Sequence, residues 1–381
     1  LLYILVGFDT GFALLNQRFW RNTLKRFFYL SFIFILVGCS PASVAWGVAF
    51  TPTPNPNANI VVASETSAVL ANNVIVDIQT IAPTVTITKT PAPTATITQT
   101  PIPSKADIER VIIISFDGLR PDAIDLAPMP NLMELRDNGA HSPLNTRTIR
   151  YPATSPSHAS MLTGYCMEDH GVIYNKFFQY MGYAKGTDVF QLVHEADMKT
   201  IMIVSKDKLR QMAEPETTDV FEVAYGEPAI QRTVLPYLQE DFGLMFVHFA
   251  GGDNRGHKYG WMSGEYMKVL REGDAVLGEM IKTLKENNLF DSTLFIISSD
   301  HGGHDRNHIG LVIEDYRITW IAYGPGVVQT EVTRQLYTFD TAVTAAYALG
   351  FPLQDDWAGI PVYEIFGEDP INTHDGYPCD T

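Results

Sequence analysis

The chain has 381 residues, is 46% hydrophobic and carries a formal net charge of −16. This length and apolar content allow one large domain or two with a substantial core, while the acidity argues against sequence-specific nucleic-acid binding, which needs clustered Lys and Arg. The three cysteines, Cys39, Cys166 and Cys379, are too few for a disulfide scaffold and include no C-x-x-C pair.

Arg18, Arg21, Lys25 and Arg26 precede the apolar run Phe27–Cys39. A basic stretch followed by a short apolar one is the pattern of an export signal, and the run is short for a membrane span. It ends in Leu36-Val37-Gly38-Cys39, which resembles a bacterial lipoprotein box and implies cleavage before Cys39 and lipidation of its sulfur. An uncleaved N-terminal anchor is the alternative. Residues 1–39 are therefore expected to be a signal peptide, and the protein a membrane-anchored, extracytoplasmic lipoprotein of a bacterial cell surface. Residues 40–105 read as a stalk. They are rich in Thr, Pro and Ala and contain the near-repeats Pro83–Ala92 and Pro93–Ile102, a composition that buries too little apolar surface to fold alone. In an oxidising compartment Cys166 and Cys379 can pair, but their proximity is left open by the sequence.

From Ala106 to Thr381 the texture is that of one folded domain. Apolar strands are expected within Arg110–Asp117, Thr200–Ser205, Gly243–Asp253, Ser292–Gly303 and Ile318–Gly326, with amphipathic helical stretches between them, the clearest at Gly264–Asn288. Strands alternating with helices predict an α/β domain on a mostly parallel sheet. In such sheets ligands bind beyond the carboxyl ends of the strands.

At those ends the sequence places Asp and His. Asp117 follows the first strand, Asp253 and His257 the third, and Asp300 and His301 the fourth, with His308 seven residues further on. One such Asp reads as a cap or turn residue. Three Asp and three His from three strands read as a metal site, because clustered carboxylates repel unless cations compensate them. Imidazole with carboxylate suits zinc, and also manganese or iron. Thr154, two residues before Pro156, stands where a helix begins, and its hydroxyl is either a helix cap or a reactive group near exposed N–H donors.

The motifs DGLRPD, ATSPSHASMLTG, HGV with a following Asn, GGDNRGHKYG, SDHGG and the late FDTAVTAAYALGFPL, in this order, resemble the alkaline phosphatase superfamily and, within it, the type I phosphodiesterase/nucleotide pyrophosphatase family. The resemblance spans about Arg110 to Ile365. It implies an alkaline-phosphatase-like three-layer sandwich, mostly parallel with helices on both faces, and two divalent metal ions, zinc first and manganese or iron as alternatives. It implies Thr154 as nucleophile, forming a phospho-threonine. Asp117, Asp300, His301 and the Thr154 oxygen would hold one metal; Asp253, His257 and His308 the other, with His304 the competitor of His308. Asn175 would contact a phosphoryl oxygen, joined by the N–H of Ser155.

The substrate implied is a small phosphoester, a nucleotide among the candidates. A phosphomonoesterase, or an esterase for phosphonate or sulfate, is the alternative on the same scaffold, with Arg120 and Arg150 the nearest arginines for a terminal phosphate. An inactive surface binding lipoprotein is the third. His158 and His170 read as structural hydrogen-bonding residues and His248, inside an apolar strand, as a core residue. Tyr174, Phe177, Phe178 and Tyr180 read as core packing or a stacking pocket, and Thr217–Asp241 shows no motif.

Overall fold

The computed structural model describes residues 105–379; the expected signal peptide, Cys39, nearly all of the stalk and the last two residues lie outside the described residues. Among the described residues ten strands form two sheets: β1 (Arg110–Phe116), β2 (Ala140–Ser142), β3 (Thr146–Arg147), β4 (Thr200–Val204), β5 (Val220–Val223), β6 (Leu244–Phe249), β7 (Thr293–Ser298), β8 (Trp320–Tyr323), β9 (Thr330–Glu331) and β10 (Leu336–Tyr337). The main sheet has the order β5-β4-β6-β1-β7-β8-β2-β9, and β10 pairs with β3 apart from it.

The five strands from β5 to β7 run parallel. β1 lies among them and is buried on both faces, which its unbroken apolar run requires. Ile112, Ile114 and Phe116 face a layer containing the helices Pro130–Asn138, Glu227–Tyr237 and Gly264–Glu286. Val111 and Ile113 face the opposite layer, with the helices Thr154–Thr163, Val189–Glu195 and Asp340–Ala348. This is the expected three-layer sandwich.

The last expected strand departs from the parallel direction: β8 runs antiparallel to β7. Between them the only α-helix is the four-residue Ile313–Tyr316, too short to cross a face of the sheet, so the chain folds back beside β7. The strand expected within Gly243–Asp253 stops at Phe249, and a helix, Gly251–Tyr259, begins before Asp253. The motif-free segment Thr217–Asp241 supplies edge strand β5 and the helix Glu227–Tyr237.

A disulfide joins Cys166, just beyond the Thr154–Thr163 helix, to Cys379, closing a sequence separation of 213 residues. The C-terminal tail is also held by His374, whose Nε2 lies 2.8 Å from Asp340 Oδ1. Among the described residues no helix is long and apolar enough to cross a membrane.

Asp188 caps the Val189–Glu195 helix by accepting from the Gln191 N–H at 2.7 Å. Burial, with Glu214 adding to it, pushes its carboxyl up to about 7. An acid raised in this way holds its proton more tightly folded than unfolded, so its contribution to stability declines as pH rises from about 4 to about 7 and is flat above. Asn keeps the cap without the charge. The melting-temperature difference between Asp188→Asn and wild type is expected to be near zero at about pH 4 and to grow to about 3 °C by about pH 7. Thermal melts across this range check it, and a difference independent of pH would show that the Asp188 charge is not responsible.

Candidate metal centre

Four adjacent parallel strands end at one edge of the sheet. In spatial order β4 leads to Lys206, β6 to Asp253, β1 to Asp117, and β7 to Asp300 and His301. The three aspartates and His301 are buried. Two sets of ligand atoms gather within 4.8 Å of one another: Asp253, His257 and His308 form one, and Asp117, Asp253 and His301 the other. The first set coincides with one expected ligand group. In the second, Asp253 stands where Asp300 was expected, although Asp300 Oδ2 is 3.3 Å from His301 Nε2.

The local backbone accounts for the convergence. Gly118 follows Asp117 with φ of 75°, and a Cβ there would lie 3.1 Å from the Asp253 backbone nitrogen. The chain therefore needs glycine to turn beside the carboxylate. The Gly118 N–H donates to Asp300 Oδ1 at 3.0 Å, and the Asp253 N–H donates to the Asp117 carbonyl at 2.9 Å. Asp253 and His257 sit at i and i+4 on one helix, so both face the same way.

Each of the three histidines has Nδ1 against a backbone carbonyl: His257 at 3.0 Å from Arg306, His301 at 2.9 Å from Gly302, and His308 at 2.6 Å from Pro152. In the neutral ring this contact places the proton on Nδ1 and leaves the Nε2 lone pair free to ligate. His257 Nε2 is 3.2 Å and His308 Nε2 3.7 Å from Asp253 Oδ1. Burial, reinforced by His301, lowers His308 to about 4, and burial also lowers His301. His257 is raised by its close contact with the Asp253 carboxylate. His304 instead places Nδ1 2.7 Å from Asp315 Oδ1.

The carboxylates are unequal. Burial opposes charge on Asp117, but Lys206 and His248 outweigh it and hold the group well below the usual carboxylate range. Asp253 is opposed by burial and by Asp117, yet Lys206 and His257 bring it below its ordinary value. Asp300 is held far above its own by burial and the Asp117 charge. Asp117 Oδ1, Asp253 Oδ1, Asp300 Oδ2 and His301 Nε2 are buried with no hydrogen-bond partner among the described residues. Buried polar atoms are ordinarily paired, so this donor set fits divalent cations: oxygen and imidazole atoms, buried, oriented and without hydrogen-bond partners.

Thr154 is buried and is the first residue of its helix; the N-cap is Ala153, so the Thr154 hydroxyl is not the cap. The Ser155 N–H donates to Asn175 Oδ1 at 3.0 Å, and Lys208 Nζ is 2.7 Å from the same oxygen. That N–H therefore fixes Asn175 instead of opening directly to the site. Two donors on Oδ1 set the orientation of the amide and leave its NH₂ as the donor for a ligand.

Two groups went unrecognised in the sequence. Lys206 Nζ lies 2.6 Å from both Asp117 Oδ2 and Asp253 Oδ2 and 3.3 Å from Thr154 Oγ1. The strand-end rule would have reached it one residue past Thr200–Ser205. His248 is buried and hydrogen-bonded, as read, but its partner is the site: Nε2 is 2.9 Å from Asp117 Oδ2, while Nδ1 accepts from the Ser205 N–H. His158 bridges Ser115 Oγ and the Thr154 carbonyl, and His170 contacts Ser160 Oγ. Arg120 is paired with Asp122, and Arg150 lies over the Tyr377 ring. Tyr174, Phe178 and Tyr180 are exposed and Phe177 is half-buried, so none is core packing.

Comparison with known proteins agrees with this fold. The family model described as "Type I phosphodiesterase / nucleotide pyrophosphatase" matches residues 111–203 and 193–319. The chain is 26% identical over 224 residues to ectonucleotide pyrophosphatase/phosphodiesterase family member 7 of Mus musculus, covering 51% of this chain and 49% of that protein. It is 26% identical over 219 residues to the Xenopus laevis bis(5'-adenosyl)-triphosphatase enpp4, covering 51% and 47%. The chain thus spans about half the length of these curated relatives. Among solved structures, murine ectonucleotide pyrophosphatase/phosphodiesterase 5 superposes with a TM-score of 0.56 at 16% identity, over 68% of this chain and 99% of that one. The phosphonate monoester hydrolase of Silicibacter pomeroyi does so with 0.54 at 14% identity, over 70% and 78%. With the family model matching more than half of its length, the chain belongs to the type I phosphodiesterase/nucleotide pyrophosphatase family.

Proposed function

We propose that the protein is a divalent-metal-dependent hydrolase of phosphodiester or pyrophosphate bonds, with Thr154 as its nucleophile. The observation that carries this reading is the set of three histidines held through Nδ1, their Nε2 atoms turned toward buried aspartates that share Lys206 with the Thr154 hydroxyl. Asp117, Asp300 and His301 with Thr154 would hold one ion, and Asp253, His257 and His308 a second, with Asp253 close enough to serve both. Zinc suits the mixed donors, and manganese or iron are the alternatives. When bound, such ions lower the pKa of a coordinated hydroxyl and neutralise phosphoryl oxygens.

The residues divide the remaining work. The Thr154 oxygen forms a bond to phosphorus as the bond to the leaving-group oxygen breaks, giving a phospho-threonine. Water then cleaves the Thr154–phosphorus ester and restores the hydroxyl. The Asn175 NH₂ donates to a phosphoryl oxygen, and its position is held by Ser155 and Lys208. A nucleotide is a suitable substrate: a variant of the murine neighbour described as inactive was solved in complex with AMP. A phosphomonoester or phosphonate ester is favoured by one feature, the two lysines beside Thr154 and Asn175, which suit an additional negative charge.

We also infer export as a lipoprotein anchored through Cys39, with the stalk between anchor and catalytic domain. The Cys166–Cys379 disulfide supports an oxidising compartment. Metabolic labelling with tritiated palmitate is expected for wild type and lost in Cys39→Ala; labelling that persists in the variant would exclude this anchor.

Thr154→Ala is expected to lower turnover of bis(p-nitrophenyl) phosphate by about a thousandfold or more while retaining metal. Parallel assays with p-nitrophenyl phosphate separate the two ester classes, and dominant monoester cleavage would move the protein to the second reading. Metal bound without turnover of either ester would favour a binding protein. His248→Phe keeps a buried ring but removes the contact to Asp117, and is expected to weaken metal binding by about tenfold or more. Calorimetric titration with Zn²⁺ or Mn²⁺ checks this, and wild-type affinity would remove His248 from the site.

A further inference from the structure

Lys206 is built into the carboxylate cluster. It stands two residues beyond β4, at the N-cap position of the short 3-10 helix Asp207–Met212 but without a side-chain capping bond, and its side chain is only 15% exposed. An ammonium has three donors, and here three acceptors meet it: Asp117 Oδ2, Asp253 Oδ2 and Thr154 Oγ1. Both aspartates belong to the proposed ligand sets, and their other oxygens lack hydrogen-bond partners. Lys208, two residues on, contacts Asn175 and neither aspartate directly.

We propose that Lys206 is the resident counter-cation of the metal-free site, and that divalent-ion loading displaces its ammonium from Asp117 and Asp253. The inference rests on the divalent-cation reading of the same carboxylates. A divalent ion bound through the free oxygens of these aspartates repels an ammonium on their other oxygens, and the carboxylate charge that held the lysine is then neutralised. Thr154 Oγ1 remains within reach, so the displaced ammonium faces a phosphoryl group attached at that oxygen. The lysine thereby keeps the buried carboxylates compensated before loading, at the expense of metal affinity. With the ammonium displaced on loading, the stability that its contacts add without metal is lost from metal binding in equal measure.

The experiment compares wild type, Lys206→Met and Lys208→Met as purified, chelator-stripped proteins titrated with Mn²⁺ and with Zn²⁺. Lys206→Met is expected to bind metal about tenfold more tightly and to melt about 5 °C lower when metal-free, with the melting difference disappearing at saturating metal. Lys208→Met is expected to bind within about twofold of wild type, since it leaves the aspartate pairs in place. A second measurement needs no substitution: lysine acylation of wild type, read by mass spectrometry, is expected to rise several-fold at Lys206 on metal loading. Equal affinity in wild type and Lys206→Met, or Lys206 labelling that does not rise on loading, overturns the proposal while leaving the cation site intact. Metal binding to none of the proteins overturns both readings.

Discussion

Three carboxylates brought together in a protein interior set the terms for everything around them. Asp117, Asp253 and Asp300 approach one another at one edge of the sheet, with Asp117 and Asp300 fully shielded from water. Two like charges at about 4 Å oppose each other by about 4 kcal/mol even at an effective dielectric constant of about 20. Whole-domain stabilities are on the order of 5–15 kcal/mol. Such a cluster persists only where positive charge is supplied. Within the protein that charge comes from Lys206, and the elevated Asp300 is the part of the cluster a single ammonium does not satisfy.

The surrounding structure keeps these groups in place without neutralising them completely. Gly118 turns the chain beside Asp117 and gives its N–H to Asp300, and the Asp117 carbonyl receives the N–H of Asp253. The three backbone contacts to the histidines preset the tautomer that leaves Nε2 facing inward. His248 restrains one oxygen of Asp117 and leaves the other unpartnered. Rigidity of this kind is a property of first-row-metal and phosphoryl sites, where ligand orientation matters as much as ligand identity.

The sheet-edge rule made Asp117, Asp253 and Asp300 readable in the sequence, because several apolar runs that each deliver a carboxylate to the same edge point to one shared site. His257 and His301 followed from the same strand ends, whereas the choice of His308 over His304 rests on the family resemblance. Lys206 escaped because a lysine after a strand is ordinarily a solvated residue, and nothing in its spacing separates it from one. His248 escaped because burial in an apolar strand hides which neighbour a ring nitrogen meets; only the β1–β6 register, which sets Ser115 opposite His248, brings it beside Asp117. The direction of β8 was unreadable for a related reason. An apolar run looks the same in a parallel or an antiparallel strand, and the choice lay in the connection, which has no helix long enough to cross the sheet.

The disulfide places a constraint on how the molecule is made. Cys166 sits beside the end of the Thr154 helix, while its partner is Cys379, beyond every strand and α-helix of the domain. Until Cys379 has been made, Cys166 has no partner for this bridge. Covalent closure comes only after all ten strands have been made. The bridge then ties the end of that helix to the C-terminal tail.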